Sequence, residues 1–418
     1  MKIPKWGIKN KNFMTLSFFF VVMAMENFSW LLPGGQYIVQ GLLRVSDIGV
    51  LAAVVWILYV MFMVKSKQKI KYSILPALFI VMIIISGFVA YNLFGQGFDL
   101  TIRQNRHIIV SMLLYYAIIK ALKTGRMLRN DMISIIAFQA VIEIVLFTVQ
   151  YIMIDRVTFI HVSVDSRYGE ARMRVPYLLA LIFMYICIDR ILNNKHKIWN
   201  LLLAIGGAFV LVGICKHRTP SVIMLCTFGA AFLLWKKGSA TKFLVGIMIS
   251  IIAIAFISNS TLVQDVVANI DGSPRDILGI RHSGQVYYIE RLAESPIIGF
   301  GEPNETCREA MLASGVHLNY FLEDNGMIGF FYCHGIMGLL WLLCFWVKIV
   351  KESYYLFKNK NMYLYILYVI FETGNLYIGM HWYRHSAMPF MLIIALMSYD
   401  YSNAIEESAI RERAIKEV

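Results

Sequence analysis

Runs of predominantly apolar residues, each long enough to cross a lipid bilayer as a helix, recur along most of this chain. A bilayer core requires about 20 such residues per helix, because every backbone N–H and C=O must be satisfied within the segment. We count about twelve candidate spans. They lie near residues 13–32, 46–64, 72–94, 107–122, 131–154, 175–192, 198–215, 219–235, 243–258, 326–347, 362–380 and 384–400. The sequence therefore predicts an all-α polytopic membrane protein, with residues 1–418 forming a single membrane domain.

The amino-acid composition supports this fold class. Hydrophobic residues make up 59% of the chain and charged residues 16%, with a mean hydropathy of +0.63, whereas an average soluble domain has about 25% charged residues. These values exclude a soluble enzyme, a disordered chain and a nucleic-acid-binding protein. The Cys and His residues show neither C-x-x-C nor H-E-x-x-H spacing, so the sequence predicts no metal site and no cofactor.

The distribution of basic residues predicts the orientation, because short cytoplasmic loops retain Lys and Arg. With the N-terminus in the cytoplasm, the cytoplasmic connections contain 20 Lys and 5 Arg, and the external connections contain 13 Arg and one Lys, Lys216. Both termini are then cytoplasmic, and the tail over 402–418 is predicted to form a short amphipathic helix. Arginine presents a planar fork that binds phosphate or carboxylate bidentately, which lysine cannot do. The external face is thus predicted to hold fixed anions, although each single arginine could equally be an interfacial residue or an ion-pair partner.

Two external connections are long enough to hold a site. The first, residues 155–174, carries Arg167, Arg172 and Arg174. The second, residues 259–325, is the longest polar stretch and has four Arg, ten Asp and Glu, and no Lys. Apolar residues at helical spacing predict a helix over 284–295 within it, lying along the membrane surface.

Several polar side chains stand where the chain turns at the external membrane face. Arg218 lies in a tight turn, KHRTPS, that fixes its guanidinium there; alternatively, helix C-terminal carbonyls hold it. His381 and Arg384 lie in a second tight turn. His317 and Asp324 precede the span 326–347, where either group could deprotonate an acceptor hydroxyl,. Asp324 could instead cap that helix.

Three acidic residues, Glu26, Glu143 and Glu372, interrupt the apolar runs. Such residues are costly in a membrane unless they are paired or face a cavity. They either belong to a proton pathway or pair with an arginine and buttress the bundle, and for Glu26 and Glu143 the structural role is favoured.

The stretch from Arg218 to Gly338 resembles the superfamily of O-antigen polymerases and O-antigen ligases. HRTPS (217–221) matches its short external Arg hairpin, and Arg281 followed by PIIGFG (296–301) matches its large loop, with an Arg and a P-x-x-G-x-G turn. EDNGMIGFFYCHGIMG (323–338) matches the acidic residue, the G-x-x-G and the further glycines that follow the loop.

Details within these motifs favour the polymerase branch. Asp324 begins a D-x-G-x-x-G pattern of the polymerase style, whereas the adjacent His-Asn of ligases is here separated by Leu318. Arg167 and Gly169, ahead of a helix that follows Pro176, also fit the family's earlier external Arg and Gly.

The resemblance implies a metal-independent membrane glycosyltransferase with a GT-C-like fold, acting at the outer face of the cytoplasmic membrane of a bacterium. Its substrate would be an oligosaccharide repeat unit linked to undecaprenyl diphosphate in the membrane lipid. The product would be an O-antigen, a capsule or an exopolysaccharide of the cell envelope, and the flippase and chain-length regulator of the same pathway would be its partners.

The resemblance also implies roles for individual residues. Arg218 and Arg281 would stabilise the leaving diphosphate, and Asp324 would be the base, with His317 in reserve. The substrate-binding residues would be Arg167, Arg172, Arg174, Arg291, Arg384 and His381. Two other functions use similar features. A ligase would transfer the finished glycan to another acceptor, and a flippase or transporter would show internal repeats and paired interrupted helices, neither of which the sequence shows.

Overall fold

A computed structural model describes residues 7–39, 43–66, 70–167, 170–234, 246, 277–377, 379–380 and 386–416. Helices account for 75% of the structure, and thirteen α-helices lie within these residues. They are α1 Gly7–Met25, α2 Ser46–Leu58, α3 Leu75–Phe94, α4 Phe98–Lys123, α5 Arg129–Ile152, α6 Leu178–Leu192, α7 Lys197–Phe209, α8 Arg218–Leu234, α9 Ile277–Leu292, α10 Arg308–Ala313, α11 Gly326–Lys360, α12 Tyr363–Asn375 and α13 Ala387–Lys416.

Shorter elements complete this framework. The π-helical turns Tyr59–Met63 and Val210–Ile214 continue α2 and α7, and the 3₁₀-helices Val316–Leu318 and Leu322–Asn325 lead into α11. Two antiparallel hairpins join helices: β1 (Tyr37–Val39) pairs with β2 (Leu43–Arg44), and β3 (Val164–Arg167) pairs with β4 (Glu170–Met173).

Five helical segments in the described part of the chain are long and apolar enough to cross a membrane. They are Ser46–Met63, Leu75–Phe94, Arg129–Ile152, Lys197–Ile214 and Leu322–Lys360. The helical membrane fold is thereby supported, whereas the twelve spans and their orientation stay predictions. The predicted span 243–258 lies outside the described residues, apart from Gly246.

Helix α6 lies inside the bundle and is apolar on every side over residues 178–188. α6 buries nearly all of its side chains, and α4 packs along α13. A helix that is hydrophobic all round must be covered on all sides, and this explains why α6 lies between α5, α7 and α12. Tyr115, Tyr185 and Tyr365 are among the largest fully buried side chains.

Connections rich in basic residues meet at one end of the bundle. The Arg129 guanidinium binds Asp400 at 2.7 Å, and Lys123 Nζ binds Glu406 Oε1 at 2.7 Å. Lys360 Nζ binds Glu407 at 2.5 Å. The tail is therefore not a separate amphipathic helix as predicted. It continues α13 to Lys416, and Glu407 pairs with Lys360 of another helix.

The first helix is shorter than predicted. α1 ends at Met25 rather than near residue 32, and the next four residues after Glu26, Asn27 to Trp30, have φ between 48° and 62°. Left-handed backbone costs about 1–2 kcal/mol for each non-glycine residue. The apolar run alone gives no sign of this turn.

Candidate functional site

Helix α11 is broken at Gly335, whose φ of 60° and ψ of −159° lie outside the helical region. The span predicted over 326–347 lies within the long apolar helical segment Leu322–Lys360, but the break inside it was not predicted. The reason is that residues 296–301 of the large loop pair with the backbone at the break, as a strand would. The four hydrogen bonds are Phe300 N–H to Tyr332 O at 2.9 Å, Gly301 N–H to Cys333 O at 2.9 Å, Ile336 N–H to Pro296 O at 2.9 Å and Met337 N–H to Ile297 O at 3.1 Å.

The glycines of the two motifs make this backbone contact possible. At Gly299, where φ is +71°, a Cβ would stand 2.6 Å from the Cys333 carbonyl carbon. At Gly335 it would stand 2.5 Å from the Ile297 carbonyl carbon. The P-x-x-G-x-G turn and the glycines of α11 therefore bind each other. Residues 299–303 of the loop are buried against the bundle, whereas residues 296–298 are exposed.

The loop continues from this contact into the groove between α3 and α4. Gln96 Nε2 donates to Glu302 O at 2.9 Å, and Asn304 N–H donates to Gln96 Oε1 at 2.8 Å. Beside them, His334 Nε2 and Glu302 Oε1 are 3.2 Å apart, and both side chains are buried. Sequence reasoning missed this pair because its members are 32 residues apart and belong to different motifs.

Arg281 and Asp324 come together at the N-terminal end of α11. Arg281 is in the first half of α9 and Asp324 in the 3₁₀-helix Leu322–Asn325. Arg281 Nη2 is 3.9 Å from Asp324 Oδ1, and the two side chains are 34% and 55% exposed. So long and exposed an ion pair is worth little, and both groups remain accessible to a ligand.

Asp324 does not cap α11. The N-cap position belongs to Asn325, which makes no side-chain capping hydrogen bond. Its Nδ2 instead donates to Phe321 O at 2.8 Å. The alternative of Asp324 as a helix cap is therefore wrong. His317 is exposed in the 3₁₀-helix Val316–Leu318, and in the described part of the chain no hydrogen bond or ion pair joins it to Asp324.

Tyrosine hydroxyls hold α9 in place. Tyr287 and Tyr332 both donate to Ala313 O, at 3.0 and 2.7 Å, and Tyr288 donates to Ser314 O at 2.9 Å. These bonds join α9 and α11 to the end of α10. The sequence predicted the helix over 284–295, and the observed α9 begins earlier, at Ile277.

The same edge of α9 reaches the end of α12. Tyr377 donates its hydroxyl to Gln285 Oε1 at 3.1 Å, and Met327 N–H donates to Leu376 O at 2.8 Å. The start of α11, the Arg281 end of α9 and the end of α12 are therefore neighbours.

Arg218 begins α8, and the structure describes its backbone but not its side chain. α8 packs against α12, where a Cβ on Gly374 would stand 2.6 Å from Ile223 Cγ2. Ile223 lies five residues after Arg218, a rise of about 7.5 Å. Because Gly374 lies near the end of α12, the first turn of α8 lies at the same end of the bundle as Arg281 and Asp324.

The other candidate residues have different surroundings. Arg172 and Arg174 both bind Asp165, at 2.8 and 2.7 Å, which agrees with the ion-pair alternative. The hydrogen bond from Arg172, followed by that from Arg174, holds the pKa of Asp165 well below its usual range. Arg291 donates to Tyr287 at 3.3 Å and lies over the Phe300 ring at 5.2 Å. The side chain of Arg167, and all of His381 and Arg384, lie outside the described residues.

A further group of arginines was missed by sequence reasoning. Arg44 of β2 and Arg103 of α4 both donate to the Tyr37 hydroxyl, at 3.1 and 3.4 Å. Next to them, Arg106 Nε and Asp47 Oδ1 are 2.5 Å apart. Each residue is unremarkable in the sequence, and only the fold brings β1, β2 and the start of α4 together.

The buried acids do not pair with arginine in the part of the chain that the structure describes. Glu26 and Glu143 are close enough to interact electrostatically, and Gln139 Nε2 donates to Glu143 Oε1 at 2.9 Å. Glu372 lies among tyrosines, and Tyr185 and Tyr368 are close enough to interact with its carboxyl group electrostatically. Among the described residues, Glu143 thus interacts with Glu26 and Gln139 rather than with an arginine, and the structural role of the two acids stays a prediction.

No protein-family model, curated protein or solved structure matches this chain. The sequence motifs and the geometry of Arg281, Asp324 and the start of α8 are therefore the basis for a functional proposal.

Proposed function

We propose that this protein polymerises oligosaccharide repeat units linked to undecaprenyl diphosphate, at the outer face of a bacterial cytoplasmic membrane. The observation that carries the proposal is the accessible arginine and carboxylate, Arg281 and Asp324, at the same end of the bundle as the first turn of α8, which Arg218 begins. The family resemblance of these motif residues supplies the substrate class. Five helical segments among the described residues are long and apolar enough to cross a membrane, which is where a lipid-linked substrate is found.

The reaction needs a cation at the leaving group and a base at the acceptor. A hydroxyl of the new repeat attacks the anomeric carbon of the growing glycan, and the bond from that carbon to the diphosphate breaks. The diphosphate leaves with the electron pair, and the hydroxyl proton passes to a base. In this proposal Arg281 and Arg218 neutralise the charge that develops on the diphosphate, and Asp324 takes the proton.

Arginine suits the first role better than lysine. Its fork can donate to two phosphate oxygens at once and keeps its charge at any physiological pH. Arg281 is available because its pairing with Asp324, at 3.9 Å, is weak,. Arg172 and Arg174 are less available, since each already binds a carboxylate of its own hairpin.

A flippase or transporter is the second candidate, and one observation favours it. The break in α11 at Gly335 is a feature of transporters, in which interrupted helices line the transport site,. Here, however, the loop hydrogen-bonds the backbone at the break and fills it. A ligase uses nearly the same residues as a polymerase, and the Asp324-Asn325-Gly326 order favours the polymerase.

The test is the glycan pattern of a deletion strain complemented with variants. Arg281→Lys and Arg218→Lys keep the charge but lose the fork, and both should reduce long-chain surface polysaccharide strongly. Arg156→Lys, at an exposed external position of 155–174, is the matched control and should restore the full chain length. Long chains in both lysine variants would contradict the proposal that Arg281 and Arg218 bind the leaving diphosphate.

The deletion strain itself separates the three functions. Accumulation of single-repeat glycan at the outer leaflet supports a polymerase. Full-length glycan that is never attached to its acceptor would indicate a ligase. Repeat units trapped at the cytoplasmic leaflet would indicate a flippase.

A further inference from the structure

A cluster of buried polar side chains lies between the end of α1 and the middle of α5. Its members are Glu26 and Ser29, in the turn after α1, and Gln139 and Glu143 of α5. Each of the four is at most 4% exposed. The Gln139 amide joins the two elements, because its Nε2 donates to Ser29 Oγ at 2.8 Å and to Glu143 Oε1 at 2.9 Å.

The cluster contains two acids without a basic partner. Glu26 and Glu143 are close enough to interact electrostatically, and no Lys, Arg or His side chain pairs with either of them among the described residues. The nearest turn of the loop after α5 brings His161 to Trp30, but only its backbone N–H binds there, and the residue is exposed. Two buried carboxylates are too costly to remain ionised alone. The pair therefore holds protons or binds a cation.

Two oxygens of the cluster have no hydrogen-bond donor in the part of the chain that the structure describes. They are Gln139 Oε1 and Glu143 Oε2, and both are buried. Each shares its carbon with an atom of the hydrogen bond between Gln139 and Glu143, so both oxygens lie at the cluster itself. Buried side-chain oxygens are normally satisfied. A water could donate to them, whereas a cation would also balance the charge of an ionised carboxyl.

The backbone after α1 adds negative potential at the same place. α1 ends at Met25, and Asn27 to Trp30 have φ between 48° and 62°. Helical hydrogen bonding stops in this turn, and among the described residues the carbonyls of Met25 and Ser29 accept no backbone hydrogen bond. The C-terminal end of a helix carries a negative partial charge. In membrane proteins, such helix ends and unwound carbonyls coordinate Na⁺.

We infer that Glu26, Glu143 and Gln139 form a binding site for a monovalent cation, Na⁺, which replaces one proton of the acidic pair. One carboxyl then stays protonated and the other is ionised, so the site with its Na⁺ is electrically neutral. Ser29 positions the Gln139 amide. A divalent ion suits the cluster less well, because Ca²⁺ takes about six to eight oxygen ligands and Mg²⁺ keeps several waters. No group of three or more His, Cys, Asp or Glu that could hold a metal lies among the described residues.

The direct test follows the thermal stability of the purified full-length protein in a neutral detergent, with NaCl replacing choline chloride at constant ionic strength. Sodium should stabilise the wild type, and its effect should follow the filling of one site. Glu26→Gln and Glu143→Gln should each weaken the apparent Na⁺ affinity about tenfold, because a neutral amide replaces a group that can carry the balancing charge. The double variant should lose the sodium effect. Unfolding in choline chloride alone shows whether each variant folds.

Proton release distinguishes exchange at the acidic pair from binding elsewhere. In weakly buffered solution the wild type should release about one proton for each Na⁺ bound, so its apparent affinity should rise about tenfold per pH unit. Direct binding of radioactive Na⁺ to the immobilised protein measures the affinity independently. Sodium binding without proton release, unchanged in the double variant, would overturn the inference.

A buried acid elsewhere in the bundle provides the matched control. Glu372 lies in α12 and is 1% exposed, so Glu372→Gln removes a similar carboxyl and should keep the full sodium effect. The inference is overturned if NaCl and choline chloride stabilise the wild type equally. Stabilisation by low pH alone, lost in the double variant, would also overturn it and would identify a proton site. A larger effect of Ca²⁺ than of Na⁺ would overturn the choice of a monovalent ion.

This inference is independent of the proposed function. A protein that forms polymer but binds no Na⁺ would refute the cation site alone. A protein that binds Na⁺ at the acidic pair but forms no polymer would refute the proposed function alone.

Discussion

At the level of single residues, the arginines that are predicted to be external differ in what their guanidinium groups bind. Arg172 and Arg174 bind Asp165, and Arg106 binds Asp47. Among the described residues, the carboxylate near Arg281 is that of Asp324, at 3.9 Å. An arginine that already binds a carboxylate gives a ligand little new interaction energy, so this difference separates structural arginines from candidates for binding.

Asp324→Asn tests the second member of the candidate site. Asparagine has a similar size but cannot accept the proton, so we expect the polymerisation rate to fall about a hundredfold while the protein still folds. The rate is measured in membranes with a lipid-linked repeat unit. His317→Asn is the comparison and should have a smaller effect. Full activity of Asp324→Asn would show that Asp324 is not the base.

Glu143→Gln tests the buried acidic pair. Glu143 and Glu26 are both buried, and no basic partner is found for either among the described residues. Glutamine removes the desolvation cost of this buried carboxyl and keeps an oxygen that can accept from Gln139, so we expect the variant to be as stable as the wild type or more stable by about 1 kcal/mol,. Gln139→Leu should instead destabilise by about 2 kcal/mol, because Gln139 donates to both Ser29 Oγ and Glu143 Oε1. Thermal unfolding in sodium-free detergent solution measures the change in stability of both variants. A large loss of stability in Glu143→Gln would show that the carboxyl itself stabilises the bundle.

At the level of elements, the β3–β4 hairpin is stabilised by the Asp165 carboxylate, which pairs with both Arg172 and Arg174. Asp165 has a lowered pKa, for which the first cause is the hydrogen bond from Arg172. Its stabilisation is therefore complete above the ordinary Asp pKa, near 3.9, and is lost as the pH falls through the lower folded-state pKa.

The hairpin should accordingly keep its hydrogen-exchange protection from pH 7 down to about pH 4 and lose it at more acidic pH. Asp165→Asn should reduce the protection at pH 7 by about 1 kcal/mol, with Asp155→Asn as the control. Protection that begins to fall near pH 6 would assign the stability of the hairpin to another group.

The contact between the loop and α11 gives a second prediction for an element. A Cβ at Gly299 would stand 2.6 Å from the Cys333 backbone, and its φ of +71° disfavours any other residue,. Gly299→Ala should destabilise the protein by about 3 kcal/mol. Gly95→Ala is the matched control: it also has positive φ, at 65°, but open space around it, so only the conformational cost applies, about 1 kcal/mol,. Thermal unfolding measures the loss of stability in each variant. Equal losses in Gly299→Ala and Gly95→Ala would show that Gly299 is not in tight contact with the Cys333 backbone.

Sequence patterns predicted where the helices lie better than where a helix ends early or is broken. Hydrophobic run length located helices such as α3 and α5 closely, because helix formation in a membrane is dictated by backbone hydrogen bonding within the segment. The left-handed turn after Glu26 and the break at Gly335 escaped prediction, because both are stabilised by contacts distant in the chain. The backbone of Trp30 accepts from His161, and residues 296–301 hydrogen-bond the break.

The residues of the candidate sites were likewise predicted only in part. The family resemblance implied one site for Arg281 and Asp324, which lie 3.9 Å apart in the structure, and their roles stay predictions. The grouping of Arg44 and Arg103 at Tyr37 was not predictable, since it joins a two-residue strand to a helix more than fifty residues away. Apolar spacing carries no information about such a contact.

At the level of the whole molecule, basic side chains of different kinds gather at different ends. Lys123, Lys360 and Arg129 meet the acidic residues of α13 at one end, and Arg281, Arg44 and Arg103 belong to turns and helix starts that are not part of that cluster. The charge distribution predicts that the lysine end is cytoplasmic.

Cysteine labelling tests this orientation. In a variant without the native cysteines, Thr306→Cys should react with a membrane-impermeant maleimide in intact spheroplasts. Ser408→Cys, near the end of α13, should react only after the membrane is permeabilised. Thr306 is exposed, and Ser408, although itself half-buried, lies among exposed residues of α13, so the membrane limits the access of the reagent to both positions. The reverse pattern would invert the orientation and place Arg281 in the cytoplasm.

We propose that the protein joins lipid-linked repeat units, and reconstitution of the purified chain tests this activity. The purified chain is placed in liposomes with a single repeat unit on undecaprenyl diphosphate, and the glycans are resolved by gel electrophoresis over time. We predict a ladder of products that grows one repeat at a time with the wild type and is absent with Arg281→Lys. A single band that stays at one repeat with the folded wild-type protein would contradict the claim.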